Sequence, residues 1–109
     1  MNKSFFYGNV ATTPELKGNN NVLSFRVAVN TRVFNSETDA WEDSADFFPF
    51  VLFGKRAEAV SKFLTKGMPV TLEAHARQNN WTTEDGQNRS AIEFVVDDIQ
   101  VGRKAEAAA

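Results

Sequence analysis

The chain has 109 residues, 42% of them apolar, and a formal net charge of −2. That length holds one domain and one core, and the absence of any apolar run of about 18 residues excludes a membrane-spanning helix. Cysteine is absent, which excludes a disulfide frame and thiolate chemistry, and the Met1-Asn2-Lys3-Ser4 start lacks the apolar stretch of a secretory signal, so a cytoplasmic protein is expected.

Phe5 to Val10 reads as a first strand. Thr13-Pro14-Glu15-Leu16 reads as a turn, since proline cannot continue a strand ladder. Gly18-Asn19-Asn20-Asn21 is a second turn signal. Val22 to Arg32 alternates, with Leu23, Phe25, Val27 and Val29 on one face and Ser24, Arg26, Ala28 and Asn30 on the other, which predicts a half-buried strand. Asn35 to Ala45 is polar and acidic and contains Trp41. It reads as a long hairpin loop. Asp39 and Asp43 could offer oxygen ligands, but their spacing does not match a calcium loop, and no metal is expected.

Phe47 to Phe53 is apolar on both faces. Phe48, Phe50 and Leu52 share one; Phe47, Val51 and Phe53 share the other. One face can fill a core, so the second needs a partner, a ligand or more protein. Pro49 within this strand implies a free side or a bulge. After Gly54 the period changes. Ala57, Val60, Phe63 and Leu64 fall on one side of a helix that Gly67 would stop. Met68 to Arg77 predicts a fourth strand, with Val70, Leu72, Ala74 and Ala76 on one face. Asp85-Gly86 is a strong hairpin signal. Ser90 to Val101 predicts a fifth strand, with Ile92, Phe94 and Val96 alternating. The domain is expected over residues 1–102, with residues 103–109 as a frayed tail.

A helix between the third and fourth of five antiparallel strands is the plan of the OB-fold, an all-β, partly open Greek-key barrel. An SH3-like barrel or an open α+β sheet fits the helix position less well.

Catalysis finds little support. His75 is the only histidine, so neither a histidine-based triad nor a multi-histidine metal site can be built. On its strand it lies opposite the apolar residues, as a surface or interface histidine would. Asp97 and Asp98 are adjacent on a strand and point apart. No glycine-rich phosphate loop is present, and no cofactor or small-molecule substrate is implied.

Aromatic and basic residues suggest binding instead. Ten phenylalanines are too many for a small barrel to hide. Phe47 and Phe53 share a strand face, Trp81 sits in a polar hairpin, and Phe34 sits where the second strand enters its loop. Arg32, Lys55, Arg56, Lys66, Arg77 and Arg89 lie near them. Flat rings stack on unpaired bases of any identity while cations track phosphates. The net charge argues the other way, because nucleic-acid binders are usually basic. However, Glu37, Asp39, Glu42, Asp43 and Asp46 cluster; without those five, 12 basic residues face 9 acidic ones, a balance of +3.

Several stretches are similar to one family. Gly8-Asn9-Val10 with Pro14-Glu15-Leu16-Lys17, Val51-Leu52-Phe53-Gly54-Lys55 with Ala57-Glu58, Phe63-Leu64-Thr65-Lys66-Gly67, and Trp81-Thr82 with Gly86-Gln87, Arg89, Glu93 and Val95-Val96 occur in family order. Over residues 3 to 101 the chain resembles the single-stranded DNA-binding proteins of the bacterial and phage SSB type. The resemblance implies an OB-fold that binds single-stranded DNA without sequence preference in replication, recombination and repair, in a nucleoid-associated location. Bases would stack on Phe47, Phe53 and Trp81. A fourth stacking position falls at Val33 or Phe34, and Phe34 is favoured because stacking needs a ring. Lys55, Lys66 and Arg77 match phosphate-contacting positions. The resemblance also implies a homotetramer, or possibly a homodimer, with the first strand, Phe48 and Phe50 supplying interface.

Three departures stand out. Asn79 and Asn80 replace what are often basic residues. The 37–46 stretch is acidic, which should weaken phosphate attraction. The long linker and acidic tip ending in Pro-Phe that the family often carries do not follow Gly102, as expected of a truncated chain or of a phage or mobile-element form. The competing readings are a dimeric OB-fold primosomal adaptor acting mainly through protein contacts, and a structural subunit that uses its aromatic face only for assembly.

Overall fold

Alternating apolar residues close this chain into a barrel, and the computed structural model describes residues 1–19 and 21–102 of it. Among the described residues the order is β1 (Ser4–Val10), β2 (Glu15–Lys17), β3 (Val22–Asn35), β4 (Ala40–Phe53), α1 (Lys55–Ser61), β5 (Pro69–Thr82) and β6 (Asn88–Val101). The sheet runs β1-β5-β6-β4-β3-β2, and β1 also pairs with β3 at Asn9↔Ala28 and Val10↔Val27. That contact closes β1, β3, β4, β5 and β6 into a five-stranded barrel. Its pairings are antiparallel except for a short parallel contact of β4 with β6, at Phe50↔Phe94 and Val51↔Val95. This is the OB-fold, with its helix between the third and fourth barrel strands as expected. The extra strand β2 lies where a turn was expected after Pro14; Glu15, Leu16 and Lys17 pair along β3.

Closure depends on Gly8. A Cβ there would stand 2.2 Å from the Ala28 carbonyl oxygen and 2.9 Å from Val27 Cγ1, so no larger residue lets β1 reach β3. The seam is then pinned at its end. The Val10 amide donates to the Met68 carbonyl at 2.9 Å, and the Gly67 amide donates to the Val10 carbonyl at 2.7 Å.

The ten phenylalanines divide evenly. Phe6, Phe25, Phe48, Phe50 and Phe94 turn inward. Phe6 lies 5.2, 5.1 and 4.9 Å, centroid to centroid, from Phe48, Phe50 and Phe94. Around them pack Val10, Leu23, Val27, Leu52, Val70, Leu72, Ala74 and Val96. Phe48 and Phe50 therefore belong to the chain's own core, contrary to the expectation that they supply interface. Phe5, Phe34, Phe47, Phe53 and Phe63 stay exposed.

Pro49 sits in an unbroken β3–β4 ladder opposite Arg26, and no bulge is needed. The Arg26 amide donates to Thr12 Oγ1 at 3.0 Å, and its carbonyl accepts from Ala11 at 2.7 Å. Arg26 thus directs its polar backbone away from β4, so this is a rung without hydrogen bonds between the strands. The missing proline N–H falls on the β6 side, one residue before the parallel contact begins at Phe50. A bulge does occur elsewhere: Glu73 pairs with Asp98 and Ala74 with Val96, which leaves Asp97 as the extra residue.

The largest correction concerns the acidic stretch. It is not a long loop. β3 and β4 pair residue for residue from Val22↔Phe53 to Asn35↔Ala40, and the turn between them spans only residues 36–39. Asn35 Oδ1 accepts the Glu37 amide at 2.9 Å, and Asp39 takes φ 56°, a region that Asp tolerates. The hairpin therefore projects beyond the barrel as a two-stranded arm. β5 and β6 form a second arm, from which Ile92 emerges exposed instead of joining the alternating core face.

The helix is also shorter than expected. Gly54, at φ 83° and ψ −158°, makes the strand-to-helix corner that other residues resist. α1 ends at Ser61 with Lys62 as its cap, so Gly67 is not its stop; Gly67 takes φ 94° in the turn into β5. Ala57, Val60 and Leu64 are buried, but Phe63 turns outward. No helix among the described residues is long and apolar enough to cross a membrane. The tail expected at residues 103–109 lies outside the described residues.

Candidate nucleic-acid interface

One register links four strands. Val51 of β4 lies opposite Val95 of β6, and Val95 lies opposite His75 of β5. Directly opposed residues share a face, and side chains repeat every second residue. The outward face therefore carries Phe53, Phe47 and Trp41 from β4, Arg77, Asn79 and Trp81 from β5, and Glu93 and Arg89 from β6. From β3, Ala28 opposes Phe47, which places Arg26, Arg32 and Phe34 on the same face. The interior takes the alternate residues, and that is why this face is free.

Its rings are half open to solvent. Relative exposure is 45% for Phe34, 55% for Phe47, 39% for Phe53, 46% for Trp81 and 60% for Trp41. The four rings expected to stack are thus brought together on one surface. Val33, the alternative to Phe34, is also exposed but lies on the reverse face of the arm.

The cations are distributed less evenly. Arg77 bonds the Glu93 carboxylate through its fork while its guanidinium carbon stands 5.0 Å from the centre of the Phe53 ring. Arg89 opposes Trp81 and donates to Gln87 Oε1 at 2.9 Å. Arg32 lies 3.7 Å from Asp43, and both are largely exposed, so the pair holds Arg32 only weakly. Lys55 opens α1 two residues after Phe53. Arg56 spans from α1 to the bulge, donating to the Asp97 carbonyl at 2.7 Å. Lys66 stands apart, in the turn before β5 and on none of the four strands of the face.

The acids mostly point elsewhere. Glu37 and Asp39 occupy the arm's turn. Glu42 and Asp46 oppose Val33 and Val29 on the reverse face, and Glu42 accepts from Asn35 Nδ2 at 3.0 Å. Of the acidic cluster only Asp43 shares the aromatic face. Strand alternation thus turns most of the charge of this stretch off the aromatic face.

Sequence reasoning missed two residues of this face. Arg26 has a usable signal in the alternation of its strand, which sets it on the face opposite the core. Trp41 was hidden by the reading of its surroundings as loop; once β4 is extended to Ala40, its odd number aligns it with Phe47 and Phe53. His75 behaves as expected, outward, with Nδ1 3.0 Å from both carboxylate oxygens of Asp97.

The β5–β6 turn holds Trp81 and Arg89 in place. The Thr83 amide donates to the Gln87 carbonyl at 2.8 Å, and Gly86 takes φ 84°. The Thr83 hydroxyl donates to the Asp85 carboxylate, and the Gln87 amide approaches it at 3.5 Å. These two donors, Thr83 foremost, lower the Asp85 carboxyl below its usual range.

Barrel and face together define an OB-fold binding module that offers rings and cations, not an enclosed pocket. The chain belongs to the single-strand binding protein family, whose model matches residues 1–102. A single-stranded DNA-binding protein of Treponema pallidum is 38% identical over 77 residues, covering 71% of this chain and 42% of that protein. Single-stranded DNA-binding protein 1 of Staphylococcus aureus strain MSSA476 is 33% identical over 103 residues, covering 92% of this chain and 64% of that protein. The chain thus spans less than two thirds of the length of these relatives. Among solved structures, the Plasmodium falciparum SSB in complex with ssDNA superposes with a TM-score of 0.76 at 21% identity, over 93% of this chain and 92% of that one, a likeness of fold.

Proposed function

We propose that this chain binds single-stranded DNA without sequence preference and protects it during replication, recombination and repair. The observation that carries this reading is the register that turns Phe34, Phe47, Phe53 and Trp81 outward on one continuous face beside Arg26, Arg32, Arg77 and Arg89. Rings stack on unpaired bases, and paired bases in a duplex have no free face to offer. The names of the relatives agree. Phe34, Phe47, Phe53 and Trp81 take the bases; Arg32, Lys55, Arg56, Lys66, Arg77 and Arg89 draw the phosphates. The role is binding without catalysis, and a primosomal adaptor working mainly through protein contacts would leave the aromatic face without a purpose.

The assembly we propose is a homotetramer. Phe5 and Tyr7 support association of copies, which a homodimer would also satisfy: both project from the outer side of β1 and are strongly exposed, an apolar patch that a second copy would cover.

Tryptophan fluorescence tests the function, because Trp41 and Trp81 are the only indoles. Oligo(dT) is expected to quench strongly and duplex DNA weakly, with affinity falling as salt rises. Absence of both quenching and a mobility shift at low salt would overturn the reading.

A further inference from the structure

The aromatic face does not stop at the barrel wall. Trp41 lies six residues before Phe47, and Phe47 six before Phe53, so three rings recur at equal intervals on one face of β4. At a strand rise of about 3.3 Å per residue, each interval is about 20 Å. Trp41 is the most exposed ring of the face. It meets its cross-strand partner Phe34 edge to face, with centroids 5.4 Å apart and planes at 68°. A T-shaped contact covers at most one broad face of the indole, so the other stays open while Phe34 limits its rotation.

The surroundings favour a nucleic-acid occupant. Arg32 stands two residues from Phe34 on the same face, held only by its exposed pair with Asp43. The other acids of the arm lie at the turn or on the reverse face. The Phe34–Trp41 pair thus continues the aromatic-basic track of the face.

We infer that Trp41 is a further stacking surface for unpaired bases near the tip of the β3–β4 arm, adding a second ring beside Phe34 at the level about 20 Å past Phe47. This rests on the function proposed above. It gives the arm a task the barrel cannot perform: to carry bases beyond the core on a surface with no interior behind it.

The test uses the whole chain carrying Trp81→Phe, which keeps a ring at that position and leaves Trp41 as the only indole. Binding of labelled oligo(dT) is followed by anisotropy, Trp41 emission is read alongside, and mass in solution is measured for every variant. Oligo(dT) is expected to quench Trp41 as binding proceeds. Trp41→Ala is expected to weaken affinity for a long oligo(dT) about tenfold at unchanged mass, and Trp41→Phe to restore most of it. Binding with unmoved Trp41 emission, or with affinity unchanged in Trp41→Ala, overturns the inference and leaves the proposed function standing. Lost affinity that tracks a change in mass assigns Trp41 to assembly and overturns it also. Failure of the unaltered chain to bind oligo(dT) removes both.

Discussion

The Arg77 guanidinium carbon lies over the ring of Phe53, 5.0 Å from its centre, while two of its nitrogens donate to Glu93. A cation and a stacking surface are thereby fixed together, with the cation already partly neutralised by a carboxylate that is largely buried. Glu93→Gln is expected to free this charge and steepen the salt dependence of oligo(dT) binding by up to about 0.7 in log–log slope, the share of one phosphate contact. Arg77→Ala should flatten the slope by less than that. Titrations at a series of salt concentrations check both signs, and a flatter slope in Glu93→Gln would be inconsistent with this coupling.

Removal of a ring should act on binding and not on folding. Trp81→Ala and Phe53→Ala are each expected to weaken oligo(dT) affinity by about 1–3 kcal/mol, roughly five- to 150-fold, at unchanged mass. Dissociation of the assembly with intact affinity per site would instead mark these rings as interface.

Phe47 and Phe50, three residues apart on β4, should separate the two jobs of the strand. Phe50 is 1% exposed, stacked on Phe25 and touching Phe6 and Phe94. Phe50→Ala is expected to cost about 3–5 kcal/mol of stability, as large core truncations do. Phe47→Ala should leave stability within about 0.5 kcal/mol and reduce DNA affinity. Urea unfolding paired with DNA titration distinguishes them.

Those two residues also explain how much could be read from the sequence. Wherever a strand has an interior on one side, its alternation is visible, and the inward Phe48, Phe50 and Leu52 and the outward Phe47 and Phe53 were legible for that reason. The helix position and the Asp85-Gly86 turn were legible from local chemistry. Beyond the barrel both faces meet solvent, so no alternation marks Ala40 to Asp46 or distinguishes Ile92. Acidic residues disfavour strands in isolation, and the residues of β4 here are held by β3, a pairing that local propensity does not record. Trp41 was lost with its strand. Phe63 suits the helical period of its neighbours, but the helix ends two residues before it, at Ser61, and the ring turns outward.

Gly8→Ala is expected to open the barrel seam. The added carbon would press on the Ala28 carbonyl, which is backbone and cannot swing aside. A loss of about 3 kcal/mol, toward the upper end for overpacking, is expected. A lowered urea midpoint, with faster amide exchange at Asn9 and Val10, would report it; an unchanged midpoint would show that β1 can shift without loss.

The β5–β6 turn should respond to acid. Asp85 has a lowered carboxyl pKa in the folded chain, so its ionised form is favoured by folding. That contribution is fully present above about pH 4, the ordinary range for Asp, and is lost as pH falls through the folded value. The protection of the Thr83 and Gln87 amides, taken relative to the exchange rate of an unstructured chain at the same pH, should therefore fall on acidification below that point. Asp85→Asn should show lower protection at neutral pH and lose this response to acid.

The fully paired β3–β4 arm also behaves as a ruler graduated in double steps. Two residues added to each of its strands would carry the tip outward by about 6.6 Å and leave every ring on its present face. One residue added to each would turn the tip over, so that Trp41 and Phe34 changed sides with Glu42 and Val33. Variation in arm length can therefore reset how far the aromatic face reaches without touching the core, but only in even increments.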